Sequence, residues 1–139
     1  MQSIRWFAAL VLTLPNAAGA DSLQTDRYFA VQPIGRTGSD EFVVRISESA
    51  RAQAFVDAIR DGEPRRMTSR IVPRHSAWNL AWPFYTERHR LLPVSTLIAR
   101  CPSHGPSEIG QLLRKGAQIA GSAWCPAVKV VREIKHKPI

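Results

Sequence analysis

The stretch Glu41-Phe42-Val43-Val44-Arg45-Ile46-Ser47-Glu48, with its continuation to Gly62, decides the fold, because the period of its apolar residues changes partway along. Phe42, Val44 and Ile46 alternate with Glu41, Val43 and Arg45, the pattern of a half-buried strand. From Glu48 to Asp61 the period becomes helical: Ala52, Phe55, Val56 and Ile59 fall at i, i+3, i+4 and i+7, while Arg51, Gln53, Asp57 and Arg60 lie outside the stripe. Ser47 is placed to accept hydrogen bonds from the first turn and Glu48 to complement the helix dipole. Gly62 and Pro64 supply a left-handed stop and a barrier to continuation. A strand feeding an amphipathic helix implies a helix packed on a sheet.

Outward from this unit the chain is rich in strand signals. Tyr28-Phe29-Ala30-Val31 reads as a strand ended by Pro33, Gly35 and Gly38, and it forms a hairpin with Glu41–Ile46. A third strand runs over Met67–Val72 and stops at Pro73. His75–Pro83 has no clean period and reads as an irregular loop entering a short strand near Phe84-Tyr85. Leu91 to Ala99 is apolar and β-branched toward its end, which predicts a buried strand delivering Cys101 to a sheet margin. A second helix is expected over Pro106–Lys115, with Ile109, Leu112 and Leu113 on one face, Gly110 as a weak point and Gly116 as the stop. Ala117–Ser122 reads as a loop, and a last strand carries Val128, Val130, Val131 and Ile134. The expected class is α+β: a mainly antiparallel sheet with two helices packed on one face and a single disulfide.

The ends bear on compartment. Arg5, the apolar run Trp6–Leu14 and Ala18-Gly19-Ala20 have the layout of an export signal cut after Ala20, and the run is too short to span a membrane. Residues 21–139 then form one α+β domain, with a short flexible leader at Asp21–Thr25 and a basic tail at Lys135-His136-Lys137-Pro138. The expected localisation is secreted or periplasmic. In an oxidising compartment the two cysteines, Cys101 and Cys125, form a disulfide. Closing that ring contributes about 3.5 kcal/mol on the chain-entropy model.

The formal net charge is +8, of which Arg5 in the leader contributes one. That sign suits nucleic acid, anionic lipid or an acidic protein surface, and export removes most of the weight from nucleic acid. No nucleophile elbow, phosphate loop or zinc-protease helix is present, and the sequence implies no cofactor. Cys101, His104 and Cys125 have the donor set of an open zinc site, but the disulfide competes for both thiolates, so no metal is expected.

The candidate binding residues are Arg66, Arg70, Arg74, Trp78, Trp82 and Tyr85. On a strand the arginines fall at even spacing and share a face, and the aromatic residues supply stacking or apolar anchors for an anionic or protein partner. The first reading is a non-enzymatic binding domain. The alternative is a small exported hydrolase-like enzyme with a site near His75, Glu87 and His89, which a histidine within hydrogen-bond reach of a carboxylate in a cleft would favour.

Several segments together resemble one family. They are Glu41–Ile46 with the helix to Gly62, Ser69-Arg70-Ile71-Val72, Trp78-Asn79 to Trp82-Pro83-Phe84, Ala99-Arg100-Cys101, and Trp124-Cys125-Pro126 with Val130-Val131-Arg132-Glu133-Ile134. The chain is similar over about Asp40–Ile134 to the small secreted domain of proteins named calmodulin-binding, after the N-terminal domain of a calmodulin-binding protein. The resemblance implies the same fold and the same cysteine pair. Pro102 replaces an acidic residue typical of the family, and Ala127 replaces an aromatic one.

Overall fold

Alternation of apolar residues builds the sheet from its first two strands. In a computed structural model, described over residues 25–35, 40–119 and 121–135, β1 (Arg27–Pro33) and β2 (Phe42–Ile46) pair antiparallel with Phe29 opposite Val44 and Val31 opposite Phe42. All four side chains therefore point to one face, where they are buried. The expected export signal, the first residues of the leader, Gly38 and most of the basic tail lie outside the described residues.

The elements that follow are α1 (Ser49–Asp61), β3 (Arg65–Val72), β4 (Tyr85–Pro93), α2 (Pro106–Arg114), β5 (Ala123–Trp124) and β6 (Ala127–Ile134). The strand order is β2-β1-β6-β3-β4, with β5 beside β3, and every pairing is antiparallel. Helix α1 touches β6 at the middle of this order and both β2 and β4 at its ends; β2 and β4 also touch each other without ladder pairing. The sheet is thus curled around α1, with its two edges brought to a seam.

One core fills the concavity. Phe55 of α1 packs with its ring centre 5.2 Å from that of Phe29, while Ile109 of α2 joins the same cluster. Trp124 is the largest fully buried side chain, edge-on to Phe42 and Phe84, and its indole N–H donates to the His104 carbonyl at 2.6 Å. Cys101 and Cys125 are joined, with Cα atoms 5.6 Å apart, so the disulfide ties the loop before α2 to the end of β5. This is the expected α+β class with its cysteine pair.

Four local expectations are corrected. The strand near Phe84-Tyr85 is not short but is the nine-residue β4, whose Glu87, Arg88 and Arg90 face solvent and hide its strand character from a hydrophobic pattern. The apolar run Leu91–Ala99 is not a buried strand: its first three residues finish β4 opposite Met67, Arg66 and Arg65, β3 has no residue left to pair beyond Arg65, and the remainder leaves the sheet. Ser47 does not cap α1. Glu48 takes the N-cap position without a side-chain cap bond, and the Ser47 hydroxyl donates to Asp26. On α1 the buried face is Ala52, Phe55 and Ala58, with Val56 and Ile59 half-buried beside it, because the curled sheet grips a stripe shifted from the one the bulky residues define.

Candidate functional site

The seam between β2 and β4 is where polar chemistry collects, and the loop from β3 to β4 organises it. An edge strand leaves backbone groups unpaired. Asn79 satisfies those of Val43, its side-chain carbonyl accepting the Val43 N–H at 2.8 Å and its amide donating to the Val43 carbonyl. Trp82 adds a bond from its indole N–H to the Glu41 carbonyl at 3.2 Å. These contacts fix the loop across the seam and with it Trp78.

Trp78 lies between Tyr28 of β1, with ring centres 6.1 Å apart, and Tyr85 of β4, edge-on at 5.2 Å. Tyr28 and Arg45 are cross-strand partners on the outer side of the sheet, and the Arg45 guanidinium lies 4.1 Å from the Trp78 ring centre. Arg74 donates to the Tyr85 hydroxyl at 2.8 Å and lies 5.8 Å from its ring centre. Two guanidinium groups are therefore held on one three-ring platform. A stacked guanidinium keeps a planar N–H edge suited to carboxylate, phosphate or sulfate. Asp26, 3.9 Å from Arg45, sets the nearest competing negative charge.

Below this platform a groove of about 250 Å³ runs between the strands, with Arg45, Arg51, Arg88, Glu48, Glu87 and His89 in its walls. A β-bulge shapes it. Thr68 pairs with Arg90 but Arg70 pairs with Glu87, so β4 carries an extra residue, and Arg88 absorbs it with φ of 57°. The bulge turns His89 inward, where its Nε2 lies 2.7 Å from the Thr86 hydroxyl. Burial, then the charges of Arg51 and Arg45, push the His89 imidazole down to about 3. His89 is a neutral, buried side chain whose partner is a hydroxyl.

The six residues singled out in the sequence divide into two groups. Arg74, Trp78 and Tyr85 come together in the platform. Arg66, Arg70 and Trp82 are each engaged elsewhere: Arg66 donates to the carbonyls of Cys125 and Val94, Arg70 to that of Gly121, and Trp82 packs on the core near Phe42. Sequence reasoning missed Tyr28 and Arg45, whose only signal is their outward position on neighbouring strands. His75 and Glu87 are exposed, whereas His89 is buried and bonded to Thr86. A histidine does meet a carboxylate at His104 and Glu108, 2.9 Å apart, but on the exposed first turn of α2. Both cysteine sulfurs are taken up by the disulfide, leaving His104 without the thiolates of the zinc arrangement. No group of metal-ligating side chains occurs among the described residues, and no helix among them is long and apolar enough to cross a membrane.

Residues 25–137 match the family model for the N-terminal domain of a calmodulin-binding protein, the family that the sequence resembles. No curated protein and no solved structure matches the chain.

Proposed function

The chain belongs to the calmodulin-binding-protein N-terminal domain family, and from that premise we propose that it is an exported, non-enzymatic binding domain that holds an anionic group of a protein partner on the Arg45–Trp78–Tyr85–Arg74 platform. The observation that carries this reading is the pair of guanidinium groups fixed by aromatic rings, one by stacking at 4.1 Å and one by a phenolic hydrogen bond. Such groups have already lost much of the side-chain freedom that binding would otherwise remove. The overall positive charge would speed encounter with an acidic surface. Export is supported by the layout of residues 1–20 and by the use of both cysteines in one bond.

The test is a two-dimensional NMR titration of the mature protein with an acidic peptide and, separately, with inorganic phosphate. Shifts centred on the Trp78 indole N–H and the Arg45 and Arg74 side chains are expected, and both Arg45→Ala and Arg74→Ala should reduce them. Shifts spread evenly over the basic surface, unchanged in both variants, would remove the platform from the mechanism. N-terminal sequencing of protein recovered from the periplasm or medium should begin at Asp21.

A further inference from the structure

The apolar residues beyond β4 find no cover. Leu97 is 91% exposed, Val94 40% and Ile98 36%. A single exposed leucine is ordinary, but three apolar side chains within five residues of one constrained loop mark an interaction surface.

The constraint acts at both ends. One N–H group of Arg66 donates to the Val94 carbonyl and another to the Cys125 carbonyl, each at 3.0 Å, so a single guanidinium links the start of the loop to the end of β5. At the far end Cys101 is bonded to Cys125, whose N–H donates to the Pro102 carbonyl at 2.8 Å. The Thr96 N–H closes a turn onto Pro93 at 2.9 Å, and Arg100 occupies the left-handed region with φ of 59°. Between these ties Thr96, Leu97 and Ile98 have no regular structure. The side chain at the tip projects while the base stays fixed.

A loop ordered before binding suits a partner that reads main chain as well as side chain. A lipid surface asks for apolar area and basic charge and gains nothing from a pinned backbone. An endopeptidase cleft takes a chain segment together with one large side chain in a pocket. Strand β3, ahead of the loop, pairs with β5 and β6, which follow it, so the sheet keeps both sides of the tip together. We infer that residues 94–100 form a substrate-like docking loop for an endopeptidase with an apolar specificity pocket, that Leu97 fills the pocket, and that the protein thereby inhibits the enzyme. Exposed Arg90 and Arg100 fit a cleft with an acidic rim. The loop stands at the Arg65–Pro93 end of the β3–β4 ladder and the aromatic platform at the Val72–Tyr85 end, about 25 Å away along eight residues of strand. The two surfaces are independent, and either proposal can fail alone.

The experiment measures inhibition of chymotrypsin, subtilisin and pancreatic elastase by the purified mature protein, with trypsin as the contrast. Inhibition of at least one of the first three is expected, weakened at least about 100-fold in Leu97→Asp, the scale of removing a central anchor. Leu97→Lys should transfer inhibition to trypsin. Because Leu97 makes so little contact, both variants should melt with the parent, which separates a lost contact from a lost fold. The inference is overturned if none of the three enzymes is inhibited, if Leu97→Asp inhibits as well as the parent, or if the loop is cut after Leu97 at the rate of an ordinary substrate. Loss of binding to phosphatidylglycerol vesicles in Leu97→Asp, without inhibition by the parent, would identify a lipid-docking loop instead.

Discussion

The Arg45 guanidinium lies over the face of Trp78, 4.1 Å from the ring centre, and this contact joins β2 to the loop that crosses the seam. A partly exposed cation over an indole contributes about 1 kcal/mol. Arg45→Ala should therefore lower stability by about that amount, while Trp78→Ala, which also empties the space between Tyr28 and Tyr85, should cost about 3 kcal/mol. A double-mutant cycle in urea isolates the pair. A coupling energy indistinguishable from zero would show that the two side chains merely lie near each other.

His89 gives the fold a pH dependence with a definite sign. Its folded value is about 3, against 6.5 for the ordinary side chain. Between those values the unfolded chain takes up a proton that the native state refuses, so stability is complete above about pH 6.5 and declines as pH falls toward about 3. At about 1.36 kcal/mol per unit the loss reaches roughly 2 kcal/mol by pH 5. The Glu133 carboxylate, held at about 2 chiefly by its hydrogen bond from Arg27, also loses its contribution in acid, but only below its ordinary 4.5. His89→Gln, which offers Thr86 a polar partner without the titration, should flatten the urea midpoint between about pH 7 and pH 5. A slope unchanged by the substitution would assign the acid sensitivity to another group.

The disulfide should carry a share of stability set by its ring. With its cysteines 24 positions apart in sequence, reduction or the pair Cys101→Ser and Cys125→Ser should cost about 3.5 kcal/mol on the chain-entropy model. Reduction also frees one end of the loop that carries Leu97, so proteolysis after Leu97 should accelerate in the reduced protein more than its global destabilisation accounts for. Comparing cleavage rates of oxidised and reduced protein, each at the same denaturant-matched stability, checks both statements.

How much of this was legible depended on whether the deciding contacts were local. Phe42, Val44 and Ile46 declare β2, and Gly62, whose φ is 70°, declares the end of α1, because period and backbone freedom are properties of neighbouring residues. Strand β4 was obscured by the extra residue at Arg88, which breaks the two-residue period, and by outward-facing charges. Leu91–Ala99 misled for the opposite reason: its composition is that of a buried strand, but only its first three residues have a partner. At the candidate site, Arg74, Trp78 and Tyr85 were reachable from sequence because they lie within twelve residues of one another. Tyr28 and Arg45 were not, because cross-strand register and the path of a distant loop place them there.

Gly110 separates what helix propensity dictates from what packing allows. It lies inside α2, buried against Pro83, where glycine weakens a helix by about 1 kcal/mol relative to alanine. A Cβ built there would meet the Pro83 ring at 3.5 Å and the Arg114 guanidinium at 3.7 Å, ordinary contact distances. Gly110→Ala should accordingly stabilise the protein by about 0.5–1 kcal/mol, since the methyl fits and the unfolded chain loses freedom. Gly110→Leu extends beyond that methyl into the Pro83 ring and should destabilise by about 1–3 kcal/mol. Opposite signs for the two substitutions in urea unfolding are the signature of a site with room for one carbon. If alanine also destabilises, the contact between α2 and Pro83 is tighter in solution than the 3.5 Å separation allows for, and the glycine is required by packing rather than tolerated by it.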